Sequence, residues 1–345
     1  MNYAIIKKLP TSDELIDSIP LSDQGYHQIA VDRKDVKNII EGHDSRLLIV
    51  AGPCSAWPKK AVLSYAEKMC VLNEKIKDKI KLVMRVYIQK PRTTKGWTGP
   101  VNQPDPFSHP DIEAGARYVR DMMVKVIEMG LPIADEALFT HNAGGFLELL
   151  SWVAIGARSA EDQEHRIFAS AIDCAVGLKN PTHGELGIGV NSVLAAQSPH
   201  VAAFDGYEVQ TRGNLHAHLV LRGCNGKPNY QTQYIEEAKK HMEAKGIQNP
   251  AIIIDASHDN CVINGKKDYH FQTNVVHDVI ESLAGNPELK KLVKGFMLES
   301  FLQAGAQQLD INNPDALDLN GLSITDPCLN WDQTEKLLLE VAQKI

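Results

Sequence analysis

The sequence predicts an α/β protein, a (β/α)8 TIM barrel preceded by an N-terminal extension. Three observations lead there. Eight short apolar or β-rich runs recur between residues 47 and 300. The stretches between them mostly have room for a helix, and two of them, YAEKMCVLNEKI and YIEEAKKHMEA, carry helical periodicity. The runs are continuous rather than alternating, as strands of a parallel sheet buried on both faces are. Eight such units close into a barrel. A doubly wound open sheet is the structural alternative, but it would normally want a glycine-rich loop after the first strand. The residues there, GPCSAWP, are not a G-x-G-x-x-G fingerprint.

In chain order, residues 1–46 are polar and mixed, broken by Pro10 and Pro20, and predict an extension with one or two helices. The barrel then occupies 47–345. Its predicted strands are LLIVAG (47–52), IKLVMRVY (80–87), PIADEA (132–137), VAIGAR (153–158), AVGLKN (175–180), HLVLRG (218–223), AIIIDAS (251–257) and GFMLES (295–300). Ser159 to Asp162 is a cap signal for the helix that follows the fourth run.

Composition sets the outer bounds. With 345 residues the chain can bury a large core, and a single barrel routinely reaches that length. Hydrophobic residues make up 43% and charged residues 23%, as in ordinary globular proteins. Lys and Arg number 36 against 43 Asp and Glu, a net charge of −7 that argues against a general nucleic-acid binder. No apolar run approaches the roughly 18 residues of a membrane span. The N-terminus is basic too late and apolar too briefly for a signal peptide. Six cysteines are sparse for a disulfide scaffold, so a reduced, cytoplasmic setting is the expectation.

Barrel chemistry sits at the C-terminal ends of the strands. Reading those ends gives six cations: Arg85, Lys90, Arg92, Arg158, Lys179 and Arg222. One strand-end arginine is usually a structural ion pair. Six at one mouth repel one another unless an anion neutralises them, and Arg forks with Lys point charges suit phosphates and carboxylates. The charge implied is a substrate pair carrying more than one such group. Glu136 ends the third strand.

A second constellation is Cys54, His258, Glu299 and Asp326. Each alone is weak, since a lone Cys is more often buried and inert and a lone His a satisfied core group. The strands one, seven and eight are neighbours in a closed barrel, so the four residues together predict a mixed sulfur, nitrogen and oxygen site. Such a set suits a divalent metal of intermediate softness: Mn, Fe, Co, Zn or Cu. Among the 13 histidines, His165 reads as structural. His216 and His218 read as a strand-like pair, and His183 as a neighbour of the cation cluster.

These segments resemble the type I 3-deoxy-D-arabino-heptulosonate-7-phosphate (DAHP) synthases. The residues that carry the resemblance are GPCS (52–55), MRVY (84–87), KPRTT (90–94), GW (96–97), IGARS (155–159), DQEHR (162–166), GLKN (177–180), LRG (221–223), SH (257–258), ES (299–300) and SITD (323–326). The combination of KPRTTxGW, IGAR and SHxN is highly specific. The resemblance implies a (β/α)8 fold, a divalent metal with Mn favoured, and condensation of phosphoenolpyruvate with erythrose 4-phosphate with release of phosphate. Carried over by position, Cys54, His258, Glu299 and Asp326 match the metal ligands. Arg85, Lys90, Arg158, Lys179 and Arg222 match groups around phosphoenolpyruvate, with Glu136 beside them. Lys90, Pro91, Arg92 and Thr93 match the motif for erythrose 4-phosphate, and Asp326 is placed near the same substrate. Lys90 is the expected bridge between substrates and general acid, and Glu136 the residue that positions or deprotonates a water. The resemblance also implies a homodimer or homotetramer built partly by the N-terminal segment, an aromatic amino-acid effector, and no nucleic-acid or membrane partner.

The chain departs from the family pattern in three places. It reads KNPTHGE at 179–185, where Pro181 fixes its own φ and restricts Asn180. The segment between His200 and Leu221 looks shorter than in the feedback-inhibited enterobacterial members. Asp259 adds a charge directly after His258. Two rival readings stand beside the main one. The sister enzyme 3-deoxy-manno-octulosonate-8-phosphate synthase uses arabinose 5-phosphate, whereas KPRTT favours the four-carbon acceptor. A non-catalytic sensor of phospho-ligands would leave the complete ligand set unexplained.

Overall fold

The computed structural model describes residues 1–92, 95–138, 144–204, 206–310 and 312–345. The extension forms two helices, α1 (Ser12–Ser18) and α2 (Asp23–Glu41). Thr11 and Glu14 form a capping box on α1, and Ser22 caps α2 by accepting from the Gly25 N–H at 3.0 Å. The barrel then alternates as β1 (Leu47–Gly52), α3 (Lys59–Ile76), β2 (Ile80–Arg85), α4 (Ile112–Glu128), β3 (Ile133–Ala137), β4 (Leu150–Ile155), α5 (Gln163–Ala171), β5 (Ala175–Lys179) and α6 (Leu186–Gln197). A short antiparallel hairpin follows, β6 (Val201–Phe204) with β7 (Tyr207–Gln210). Next come β8 (Ala217–Leu221), α7 (Thr232–Lys245) and β9 (Ile252–Asp255), then a second small hairpin, β10 (Val262–Ile263) with β11 (Lys266–Lys267). The chain finishes with α8 (Gln272–Ala284), α9 (Pro287–Leu292), β12 (Val293–Glu299) and α10 (Trp331–Lys344).

Eight strands pair in parallel around a closed barrel in the order β1, β2, β3, β4, β5, β8, β9, β12 and back to β1. All eight correspond to the runs predicted from sequence. Several boundaries move by one to three residues; the largest shift is β4, which begins at Leu150, ahead of the predicted start, because Ser151 and Trp152 are buried with the rest of the strand. The two hairpins outside the barrel were not expected. The cap signal at Ser159 is also displaced. Asp162 is the N-cap of α5, but its carboxylate turns to the His165 ring instead of capping the helix.

The barrel interior is packed by Val50, Val83, Trp152, Val220, Ile253 and Met297. Inside it the Trp152 indole N–H donates to His218 at 3.2 Å, and burial pushes that histidine down to about 4, so it is neutral. The floor is closed by α2, whose Val36, Ile39 and Ile40 join the same cluster. Arg33 pins the helix by donating to the carbonyls of Leu150 at 2.8 Å and Leu147 at 2.7 Å. His216 pairs with Glu41 of this helix at 2.7 Å. Because α2 blocks the N-terminal end, the open end is the C-terminal mouth.

Candidate active site

Strand register decides which side chains meet at the mouth. In the β1–β12 pair Gly52 stands opposite Glu299, so Cys54, two residues beyond β1, rises beside the last residue of β12. Asp326 comes from the loop between β12 and α10. That loop is tied down by bridges between Ser300 and Leu329 and between Gly305 and Cys328. Ser55 and Thr325 share a 2.9 Å hydrogen bond, which draws the loop to Cys54. As a result, ligand atoms of Cys54, Glu299 and Asp326 lie within 4.8 Å of one another.

The fourth residue expected in this group, His258, lies just outside it. It opens a short 3-10 turn with φ of 54°, and its Nδ1 lies 2.9 Å from Asp255 Oδ2 without hydrogen-bond alignment. It still acts on the group through charge. Burial alone would raise the Glu299 carboxyl, yet His258, Lys267, Arg85 and Lys90 hold it well below the usual carboxylate range. The Cys54 thiol behaves oppositely: burial pushes it up, and Glu299 adds to that rise. A divalent cation would offset both effects, because one buried sulfur and two carboxylate oxygens form an intermediate-soft donor set with excess negative charge. The residues therefore fit a metal.

Lys90 and Arg85 flank the group, and the other strand-end cations have partners of their own or none among the described residues. Lys90 is buried and donates to the Cys54 carbonyl at 2.7 Å, with its Nζ 3.1 Å from Cys54 Sγ. Arg85 is 1% exposed, stacks over Tyr87 with 4.0 Å to the ring centroid, and lies 3.3 Å from Glu299 Oε1. Its Nε and Nη1 are buried and find no acceptor among the described residues. Lys179 pairs with Asp255 Oδ2 at 3.0 Å. Arg222 pairs with Asp259 at 2.9 Å, so the extra acid after His258 spends its charge on Arg222 rather than on the Cys54 group. Asn180 accepts from the Arg222 N–H at 2.9 Å and donates to the Gly223 carbonyl at 3.0 Å, so the residue before Pro181 locks β5 to the end of β8. Arg158 is exposed and has no partner among the described residues. Glu136 is buried, its Oε1 filling the space a Cβ on Gly156 would need. Pro91 is half-buried, and Arg92 is exposed and donates to the Trp97 carbonyl at 2.7 Å. Thr93 lies outside the described residues.

Two charged neighbours were not anticipated. Lys267 lies 3.5 Å from Asp326, and Asp255 joins Lys179 to His258. The Asn264-Gly265 dipeptide was the signal for the first. Both residues have positive φ, 50° and 75°, as a two-residue hairpin turn requires, and that turn delivers Lys267 to the mouth. His183 stays exposed with Glu161 at 3.8 Å, and His165 bonds the Leu138 carbonyl at 2.9 Å, a structural contact.

Comparison with known proteins supplies the rest. Residues 21–339 match the family model described as the DAHP synthetase I family. The chain is 39% identical over 345 residues to the Tyr-sensitive phospho-2-dehydro-3-deoxyheptonate aldolase of Escherichia coli K12, covering 98% of this chain and 93% of that protein. It is 37% identical to the Phe-sensitive enzyme of the same organism, covering 99% and 95%. The solved structure of a phospho-2-dehydro-3-deoxyheptonate aldolase from Francisella tularensis superposes with a TM-score of 0.92 at 34% identity, covering 100% of this chain and 98% of that one.

Proposed function

This chain belongs to the DAHP synthetase I family, and from that premise we propose how its barrel mouth serves the family's reaction. That reaction condenses phosphoenolpyruvate with erythrose 4-phosphate to give DAHP and phosphate, the first step of the shikimate pathway. The observation that carries the assignment of residues is Arg85. A fully buried guanidinium with two nitrogens lacking an acceptor is costly unless an anion completes it.

On this reading Arg85, Lys90, Arg158, Lys179 and Arg222 bind the carboxylate and phosphate of phosphoenolpyruvate. Arg158 has no competing partner among the described residues. Arg92, with Pro91, Thr93 and Lys90, binds the phosphate end of erythrose 4-phosphate, and Asp326 borders that subsite. Cys54, Glu299 and Asp326 would hold the divalent metal, with His258 as the fourth ligand; manganese is the favoured ion. Bound there, a divalent metal supplies Lewis acidity toward a carbonyl oxygen. Neutralising the two phosphates and the carboxylate at one mouth offsets their mutual repulsion and aligns C3 of phosphoenolpyruvate with the aldehyde carbon. Lys90 spans both subsites. Burial would lower its pKa, but Cys54, Glu136 and Glu299 raise it, so it stays charged and can hand a proton to the alkoxide formed by carbon–carbon bonding. Glu136 orients the water that adds at C2, after which the C–O bond to phosphate breaks.

The two E. coli relatives named above are Tyr- and Phe-sensitive, which supports an aromatic amino-acid effector for this chain as well. We read residues 1–46 as the contributor to subunit contacts in a homodimer or homotetramer. The six cysteines are all unpaired, which suits a cytoplasmic setting. No helix among the described residues is long and apolar enough to cross a membrane.

The test is phosphate release with both substrates, with and without a chelator, repeated with each aromatic amino acid and with arabinose 5-phosphate as the acceptor. Release that needs erythrose 4-phosphate and stops with chelator supports the reading. Turnover that persists in chelator, or that prefers the five-carbon acceptor, overturns it.

A further inference from the structure

The floor of the barrel holds a second cavity, far from the mouth. It has a volume of about 850 Å3 and opens between the end of α2, the start of β12, α8 and α9. Part of its wall is apolar, formed by Ile280, Leu283, Leu292 and Phe296, and charged side chains line the rest. That size lies in the range of small-molecule sites, which combine apolar walls with a few placed polar groups.

The charges in the wall are unevenly matched. Every acidic side chain lining the cavity is committed. Glu41 holds His216 at 2.7 Å, Asp44 holds Arg46 at 2.6 Å, Glu243 faces Lys239 at 3.7 Å and Glu288 faces Lys291 at 3.5 Å. Lys294, the second residue of β12, has neither a hydrogen bond nor an ion pair among the described residues. It is half-buried, and burial alone lowers its pKa, with no carboxylate raising it again. A Cβ on Gly42 would stand 3.2 Å from its Nζ, so the ammonium sits beside the end of α2, where the helix dipole favours a cation. That interaction explains why the charge is tolerated; it leaves the ammonium's donors without an acceptor.

We propose that this cavity binds a small organic monocarboxylate with an apolar, branched or aromatic body, its carboxylate paired to Lys294 and its body against Leu283, Leu292 and Phe296. The single charge follows from the pairing of the cations. Of the five lysines lining the cavity, Lys239, Lys291 and Lys344 face carboxylates and Lys290 is exposed, which leaves Lys294 as the one half-buried ammonium without a partner among the described residues. One such ammonium matches one negative charge, whereas a phosphate dianion is better matched by an Arg fork. The one arginine lining the cavity, Arg46, is taken by Asp44 and by Asp35, the latter at 3.1 Å.

Titration calorimetry with 4-phenylbutyrate tests this on the full chain, beside the uncharged 4-phenylbutan-1-ol and the dianion phenyl phosphate. The parent protein binds the carboxylate at one site, and the alcohol and the phosphate ester bind at least about tenfold more weakly, the worth of one charge-assisted hydrogen bond. Lys294→Met loses about the same factor. Leu283→Trp, which fills the apolar wall, also loses binding, while Arg158→Ala at the mouth binds as the parent does. Thermal melts confirm that each variant is folded. No binding by the parent, unchanged binding by Lys294→Met and Leu283→Trp, or loss of binding in Arg158→Ala would overturn the proposal.

Discussion

Gly156→Ala places a methyl group against the Glu136 carboxylate. On the present backbone the new carbon overlaps Oε1 outright and stands 3.3 Å from Cδ and 3.9 Å from Cγ. Only the tip of a flexible side chain has to give, so the backbone keeps its course. To regain ordinary contact the oxygen retreats by about 1 Å, and a displacement of that size at a reacting centre costs up to about a hundredfold in rate, close to 3 kcal/mol. Stability moves little, because alanine restricts the unfolded chain by about 0.4–1 kcal/mol in compensation. The assay is steady-state phosphate release with both substrates varied, alongside Glu136→Gln and the double variant. The expected result is a kcat about a hundredfold lower at nearly parental Tm, with the double variant no slower than Glu136→Gln alone. A Gly156→Ala enzyme with parental kcat, or a loss that simply adds to that of Glu136→Gln, refutes the assignment of Glu136 as the residue that places the water.

Further variants probe the remaining roles. Cys54→Ala removes the one soft donor, so the Kd for the divalent metal rises by roughly a hundredfold or more; competition with a chromophoric chelator reads this, and unchanged affinity would count against Cys54 as a ligand. Arg92→Ala raises KM for erythrose 4-phosphate while leaving that for phosphoenolpyruvate near its parental value; the reverse pattern would exchange the two subsites. Asp135 is buried beside the Ile88 N–H, which donates to it at 3.1 Å, and burial pushes its carboxyl up to about 8. The folded chain thus keeps a proton that the unfolded chain releases above about pH 4, and stability falls as pH rises from there through about 8. Asp135→Asn removes that slope, so its Tm advantage over the parent grows by the equivalent of a few kcal/mol between pH 5 and pH 9; parallel Tm curves would dismiss the buried acid.

Strand identity was legible because a parallel barrel strand is apolar on both faces, and that signature survives without any knowledge of partners. The strand-end cations were legible for a related reason, since a charge that closes an otherwise apolar run stands out at the mouth. What the sequence could not show was the pairing of those charges. Asp255 closes a strand of three isoleucines and reads as an ordinary strand end, yet it holds both Lys179 and His258. Asp259 was read as a neighbour of the metal group, whereas its carboxylate turns to Arg222. Side-chain direction at a strand end depends on loop conformation, here on the positive φ of His258, which residue identity alone does not encode. The hairpin that brings Lys267 to Asp326 carries an Asn-Gly turn signal, but its strands are only two residues each, too short for an apolar run to mark them.

Closure of the barrel between β1 and β12 has a consequence for biosynthesis. Leu48 pairs with Gly295, where a Cβ would land on the Leu48 carbonyl, so the seam tolerates only a bare backbone. Contacts so distant along the chain form late, after most of the loop entropy has been spent. Cys54 is made first, and its neighbours at the mouth, Glu299 and Asp326, follow 245 and 272 residues later. A nascent chain therefore presents Cys54 without the two carboxylates, and on the proposed ligand set an ion captured afterwards would favour the sealed barrel alone, by RT ln(1 + [M]/Kd).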